Sequence, residues 1–218
     1  MFPSMEVRWF YQGTVPAEVA EWFHSGTGRA EAQAPRVDYY LDLQEMDGLG
    51  IKLREGKVEV KRRQRQHGIR RFCEQAAGEV EHWRKWSFEL AMGRGELSDS
   101  LSPVSSWVAV QKERHLRKYR VEGDERLVPV AAEAYPERGC SVELSSLCVE
   151  GQDWWSLCFE AFGDESSLRQ TLLLVVEEVL ACEGVPFPLD ANASYGYPRW
   201  LASLRRPPQS VDSHPKVG

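Results

Sequence analysis

No long apolar run occurs in this chain of 218 residues. The longest strongly apolar stretch, Leu172 to Val176, is five residues, whereas a membrane-spanning helix needs about 20, so no membrane partner is expected. The first ten residues lack the apolar core of about 7–15 residues that marks a secretory signal, and they carry Glu6. Cysteine is scarce. The five present, at 73, 140, 148, 158 and 182, form no C-x-x-C pair, which argues against both a zinc site and a disulfide framework and fits free thiols in a reducing cytoplasm. Five histidines are scattered with no H-x-x-x-H or H-E-x-x-H spacing, and no G-x-S-x-G, Walker loop or dinucleotide fingerprint is present. Positive charge is not in excess either: 27 Lys and Arg stand against 33 Asp and Glu, a net charge of −6. That argues against a nucleic-acid partner.

What the chain does have is charge sorted by position. Lys52 to Arg71 holds nine bases against Glu55 and Glu59, and Lys112 to Arg120 holds five against Glu113. Ser141 to Glu165 holds six acids and no base. The length suits one domain, taken as residues 1–205, with a disordered tail over 206–218, where three prolines accompany little to bury.

Most segments alternate apolar and polar residues at period two between Gly, Pro, Asp or Ser, the pattern of half-buried strands. Strands are expected at Met5–Tyr11, Asp38–Leu43, Gly50–Arg54, Lys57–Arg63, His82–Leu90, Ser106–His115, Leu127–Val130, Cys140–Cys148 and Trp154–Phe162. Glu55-Gly56 and Gly151-Gln152-Asp153 are hairpin signals. Gly93 to Ser105 reads as a loop. Two segments read as helices. Pro16–His24 gathers Val19, Trp22 and Phe23 on one side. Asp164–Cys182 repeats Leu168, Leu172, Val175, Val176 and Leu180 at helical spacing after an Asp164 or Ser166 cap.

Side chains at i and i+2 share a strand face. Lys52 and Arg54 therefore share one, as do Glu59, Lys61 and Arg63, and also Lys85 and Ser87. Glu6 and Arg8 oppose Val7 and Trp9. Glu143 lies between Ser141 and Ser145, opposite Val142 and Leu144. Lys112 and Arg114 follow Val108 and Val110 on one face, which is apolar early and cationic late. An antiparallel sheet with one wet face accounts for any single strand. Repeated pairs of like charge are harder to place, because like charges side by side on a sheet repel. They are tolerated where an anion sits between them. A closed antiparallel barrel with cations inside and carboxylates on one wall suits a polyphosphate with a divalent metal: cations neutralise phosphate oxygens, and carboxylates hold a hard ion.

Several of these pieces, in this order, resemble the CYTH superfamily, the triphosphate tunnel metalloenzymes, which includes thiamine triphosphatases and bacterial polyphosphate hydrolases. They are Glu6-Val7-Arg8-Trp9-Phe10, Asp38-Tyr39-Tyr40-Leu41-Asp42, Gly50-Ile51-Lys52-Leu53-Arg54, Val58-Glu59-Val60-Lys61, Val110-Gln111-Lys112-Glu113-Arg114, Val142-Glu143-Leu144 and Cys158-Phe159-Glu160. The closing Ser194-Tyr195 and Trp200-Leu201 complete the set. The resemblance implies an α+β, mainly β fold: an eight-stranded antiparallel tunnel with flanking helices, acting as a phosphohydrolase. It implies that Arg8, Lys52, Arg54, Lys61, Lys112 and Arg114 bind the phosphates of a triphosphate or polyphosphate, and that Glu6, Glu143 and Glu160 hold Mg²⁺ or Mn²⁺. Glu59 would position water and Lys85 would contact the leaving group. The chain departs from the family where E-x-E-x-K becomes Ser4, Glu6, Arg8, and where the last strand keeps Glu160 between Cys158 and Phe162. Fewer carboxylates hold Mg²⁺ more weakly, so a non-catalytic polyphosphate-binding module is the alternative.

Two further features have plainer readings. Arg65 to Arg71 reads as a solvated strand end and loop rather than a nucleic-acid patch. Trp83, Trp86 and Trp107 read as barrel-wall packing.

Overall fold

A computed structural model describes residues 2–43, 46–90, 107–123, 125–182 and 184–205. The loop expected at 93–105 and the tail expected at 206–218 lie outside these residues. Nine strands and three α-helices are described: β1 (Phe2–Gln12), α1 (Ala17–Ser25), β2 (Glu31–Leu41), β3 (Leu49–Arg54), β4 (Lys57–Cys73), β5 (Ala76–Glu89), β6 (Trp107–Glu122), β7 (Arg126–Val130), β8 (Gly139–Val149), β9 (Gln152–Phe162), α2 (Leu168–Cys182) and α3 (Tyr197–Leu204).

Eight strands pair in the order β2-β3-β4-β5-β1-β9-β8-β6, and β6 pairs back to β2, closing an antiparallel barrel. Closure removes the unpaired edges that an open sheet would present. β7 takes over from β2 along the last third of β6, where Lys118 pairs with Val130 and Glu122 with Arg126. The fold is α+β and mainly β. It resembles a tunnel, as the strand pattern leads one to expect. No described helix is long and apolar enough to cross a membrane.

Parity divides each strand between two environments. The odd residues of β1, Met5, Val7 and Trp9, join Val142 and Leu144 of β8 and Leu157 and Phe159 of β9 on the outer face, where Leu168, Leu172, Val175, Val176 and Leu180 of α2 cover them. Val19, Trp22 and Phe23 of α1 join the same core. A second apolar cluster lies inside one end of the barrel. Phe10, Tyr40, Val108, Val110, Leu147 and Val149 meet Trp200 and Leu201 of α3 there. The Phe10 and Trp200 rings stack with centroids 4.8 Å apart. This explains why β6 is apolar early and cationic late: Val108 and Val110 pack against the stopper formed by α3, and Lys112 and Arg114 lie beyond it.

Several boundaries move. β2 starts seven residues before the expected strand, through Pro35 and a register shift between Gln33 and Arg36. β4 runs ten residues past Arg63, pairing with β5 through three register shifts, so Arg65 to Arg71 are strand and not loop. α2 starts at Leu168 after a turn in which Ser167 N–H donates to Asp164 O, later than the caps expected at Asp164 or Ser166. The Glu55-Gly56 hairpin has both residues at positive φ, 50° and 77°, a two-residue turn that matches strand twist. The turn between β8 and β9 falls one residue earlier than expected, at Glu150-Gly151.

Candidate functional site: a cation-lined barrel interior

The inward residues of eight strands converge on one cavity of about 160 Å³. Arg8, Arg36, Lys52, Arg54, Lys61, Lys85, Lys112 and Arg114 line it, with Glu6, Glu59, Glu143 and Glu160. Every residue expected to bind phosphate, hold metal or act in catalysis is therefore brought to a single space. Eight bases against four carboxylates leave an excess of four positive charges on its lining.

The carboxylates serve as spacers between the cations. On one wall Glu143 accepts hydrogen bonds from Arg8 Nη1 (3.2 Å), Lys112 Nζ (2.9 Å), Arg114 Nη1 (3.1 Å) and Ser145 Oγ (3.0 Å). Burial penalises its charge, but Lys112, Arg8 and Arg114 outweigh that and hold the carboxyl well below the usual range. On the opposite wall Glu59 lies 2.8 Å from Lys52 Nζ and 3.3 Å from Arg54 Nη2, with Lys85 Nζ at 4.0 Å. Burial acts on Glu59 too, and these cations still bring it down to about 2. Lys52 also approaches Asp38, at 3.6 Å. Burial depresses the Lys52 ammonium to about 8, only partly offset by Asp38 and Glu59.

Between these walls β1 and β9 set Glu6 directly opposite Glu160. Lys61 Nζ donates to both, at 2.6 Å and 3.1 Å. Burial disfavours the Lys61 charge, yet the two carboxylates raise its pKa well above the ordinary lysine value. Glu160 is correspondingly lowered, burial being outweighed by Lys61 and Lys85. Cys158, beside Glu160 on the same face, is a buried thiol whose pKa burial pushes well up. It therefore brings no negative charge to the wall beside Glu160.

Further residues surround these groups. Arg36 Nε donates to Asp38 Oδ1 at 3.0 Å. Trp83, expected as wall packing, lines the cavity with its ring centroid 5.5 Å from Lys61 Nζ. Tyr197 comes from α3: its hydroxyl meets Lys112 Nζ at 2.9 Å, and its ring lies 4.9 Å from the Arg8 guanidinium carbon. Glu81 is the register partner of Glu6 on β5, buried, and accepts from Arg63 Nη1 at 2.8 Å. Burial, with Glu6 adding to it, lifts Glu81 to about 7. Gly196 passes so near that a Cβ there would lie 2.8 Å from Glu81 Oε2. Only glycine lets the segment leading into α3 descend to this depth.

Arg8 Nε and Arg114 Nε are buried in the cavity wall and have no hydrogen-bond partner among the described residues. Such donors gain from an anionic acceptor. Among the described residues no group of three His, Cys, Asp or Glu side chains is arranged to hold a metal.

No family model matches the chain, and no curated protein matches it. Among solved structures it is similar to the PH1819 protein from Pyrococcus horikoshii OT3. The two share 11% identity over 84% of this chain and 92% of that one, with a TM-score of 0.40.

Proposed function

We propose that the barrel interior binds the phosphate chain of a triphosphate or polyphosphate, and that the protein hydrolyses it with the help of Mg²⁺ or Mn²⁺, as the resemblance to the CYTH superfamily implies. The observation that carries this reading is the convergence of eight cations from six strands on one cavity whose lining keeps an excess of four positive charges. Charge-assisted hydrogen bonds from Arg and Lys to phosphate oxygens are short and strong, and Arg is suited to bind them two at a time. Arg8, Lys112 and Arg114 form one jaw of the clamp, and Lys52 and Arg54 the other. Glu143 and Glu59 keep each jaw from flying apart before the ligand arrives.

The donor set fits a divalent ion at one place, Glu6 with Glu160. Mg²⁺ is usually held by one or two carboxylates, with phosphate oxygens and water completing its shell, and Lys61 Nζ already marks the gap between these two as a place for positive charge. An ion bound there supplies neutralisation of the charge that develops on the transferred phosphoryl group. Glu143, with four donors of its own, orients the clamp in this reading. Lys85, whose side chain is 42% exposed, is assigned to the leaving group in this reading, and Glu59, 4.0 Å from its Nζ, is the carboxylate within reach of it.

A second reading, a module that binds phosphate chains without cutting them, is favoured by one observation. Lys61 lies between the two carboxylates that a metal would need, and the neighbouring inward residue of β9, Cys158, is a buried thiol and not a carboxylate. Phosphate release from inorganic tripolyphosphate, measured with EDTA and then with Mg²⁺ or Mn²⁺, separates the two. Metal-dependent release supports the hydrolase. Binding without release in any metal supports the module, and the absence of binding overturns both.

A further inference from the structure

We propose that the outer wall of the barrel carries a site for one divalent transition-metal ion of the Zn²⁺ or Cu²⁺ kind, held by His24 and His115. These histidines lie 91 residues apart in the chain, so no spacing motif links them. One stands in the last turn of α1 and the other on β6. The fold brings His24 Nε2 to 3.2 Å from His115 Nδ1. The place is separate from the cation-lined cavity, which takes Arg114, the neighbour of His115, and neither histidine.

Three features suit the pair to an ion. The first is the tautomer of His24. Its Nδ1 lies 2.7 Å from Ala20 O. A carbonyl oxygen only accepts, so Nδ1 carries the proton and Nε2 turns a lone pair towards His115. A backbone carbonyl on the far nitrogen is the usual support of an imidazole that ligates metal. The second is span. Two nitrogens bonded to a tetrahedral ion at about 2.05 Å stand about 3.3 Å apart, and about 2.9 Å in a square-planar one. The observed gap falls between these. The rings are also inclined to one another, at 74° with centroids 4.7 Å apart, whereas an end-to-end hydrogen bond across the same gap would part the centroids by about 5.5 Å. The third is charge. Burial and His24 hold His115 below the ordinary histidine value, and the Glu113 carboxylate only partly offsets them, which keeps a neutral ring for coordination. The other neighbouring histidines, His67 and His82, lie instead among Arg65, Arg84 and Arg169, whose charge opposes a cation.

The strand half of the site is fixed beforehand, because β6 is paired on both sides at His115, with Ala32 of β2 and Leu144 of β8. When the ion binds, the proton on His115 Nδ1 moves to Nε2 of the same ring, and both facing nitrogens give lone pairs. Water fills the remaining positions, since no third His, Cys, Asp or Glu joins the pair among the described residues. The ion then ties the end of α1 to the barrel wall.

The test titrates the full, tag-free chain with Zn²⁺ by calorimetry, with excess Mg²⁺ present to compete at Glu6 and Glu160. One Zn²⁺ should bind per chain and raise the melting temperature. His24→Gln and His115→Gln should each weaken that binding by at least about tenfold, the least that losing even a ligand's supporting partner costs. His67→Gln with His82→Gln should leave it unchanged. Cu²⁺ bound to the wild-type chain should show hyperfine coupling to two imidazole nitrogens in its electron paramagnetic resonance spectrum. Zn²⁺ binding that survives both substitutions overturns the proposal, as does a wild-type chain that binds no Zn²⁺. Melting in EDTA checks that the variants fold. Should either fail to, the wild-type Cu²⁺ spectrum decides, and coupling to fewer than two nitrogens overturns the site.

Discussion

Glu6 and Glu160 face each other across β1 and β9 and share one ammonium group, that of Lys61. Two carboxylates so placed repel unless a cation lies between them. Lys61 meets that requirement in the structure, and under the proposed hydrolase reading a divalent ion would meet it with more charge. The pair thus gives a sign test. In EDTA, Glu160→Gln should tighten tripolyphosphate binding, by about tenfold if one repelling charge near the site is removed. With Mg²⁺ the same substitution should abolish the metal's enhancement of binding and lower turnover by orders of magnitude. Titration and phosphate release on one preparation read both. Unchanged turnover would show the metal wall to be misplaced.

Lys52 and Arg54 make up one jaw, held by Glu59. Tripolyphosphate should raise the melting temperature of the wild-type chain, since a ligand at about 100 times its Kd adds about 2.7 kcal/mol to apparent stability. Lys52→Ala with Arg54→Ala should remove most of that shift. Scanning calorimetry with and without millimolar tripolyphosphate checks it, and a wild-type melt indifferent to the ligand would count against the clamp.

Because burial brings Lys52 down to about 8, the site loses a positive charge as pH rises through that value. Tripolyphosphate affinity should therefore fall between pH 7 and 9.5, and binding near pH 8 should draw a proton onto the protein. Lys52→Arg keeps the charge, because a guanidinium does not titrate in this range, and should flatten the profile. Calorimetry in buffers of differing ionisation enthalpy measures the proton directly.

Glu81 and the clamp carboxylates should act on stability in opposite directions. Glu59 and Glu160 sit near 2 and Glu143 also lies below its ordinary value. The stability they contribute is complete above the unfolded carboxylate value and is lost as pH falls from about 4.5 towards 2. Glu81 is raised from 4.5 to about 7. Its contribution is complete below 4.5 and is lost as pH rises through 7. Glu81→Gln should accordingly stabilise the fold at pH 8, by about 1–3 kcal/mol, and give no gain at pH 4. Urea unfolding at the two pH values decides it.

The inward cations were legible because period-two spacing is strict. Once Lys52, Arg54, Lys61, Lys112 and Arg114 are assigned to polar faces, closure of the sheet leaves them one place to go. The outer core was equally plain, since Leu168, Leu172, Val175, Val176 and Leu180 repeat at helical spacing and all are buried. Three things did not show. Arg65 to Arg71 carry no alternation, because that stretch of β4 is largely exposed and bulged, so nothing in its hydropathy marks it as strand. Tyr197–Leu204 is only eight residues with Pro198 in its first turn, too short for periodicity to distinguish it from loop. Glu81 fell one residue outside the expected strand, and its position opposite Glu6 depends on a register that only the folded sheet reveals.

Among the described residues, the stacking of Phe10 on Trp200 and the seat of Tyr197 above Lys112 close one end of the cavity. Under the proposed reading, a linear anion entering from the other end goes in end-first, and its product leaves by the same route. Chain length beyond the first few phosphates is then invisible to the site, since the remainder trails outside. A ring such as cyclic trimetaphosphate has no terminus to lead with and should be refused. Any cleavage would remove units from a tip and never from the middle, and the liberated fragment, leaving through the entrance, would compete with the next molecule to arrive.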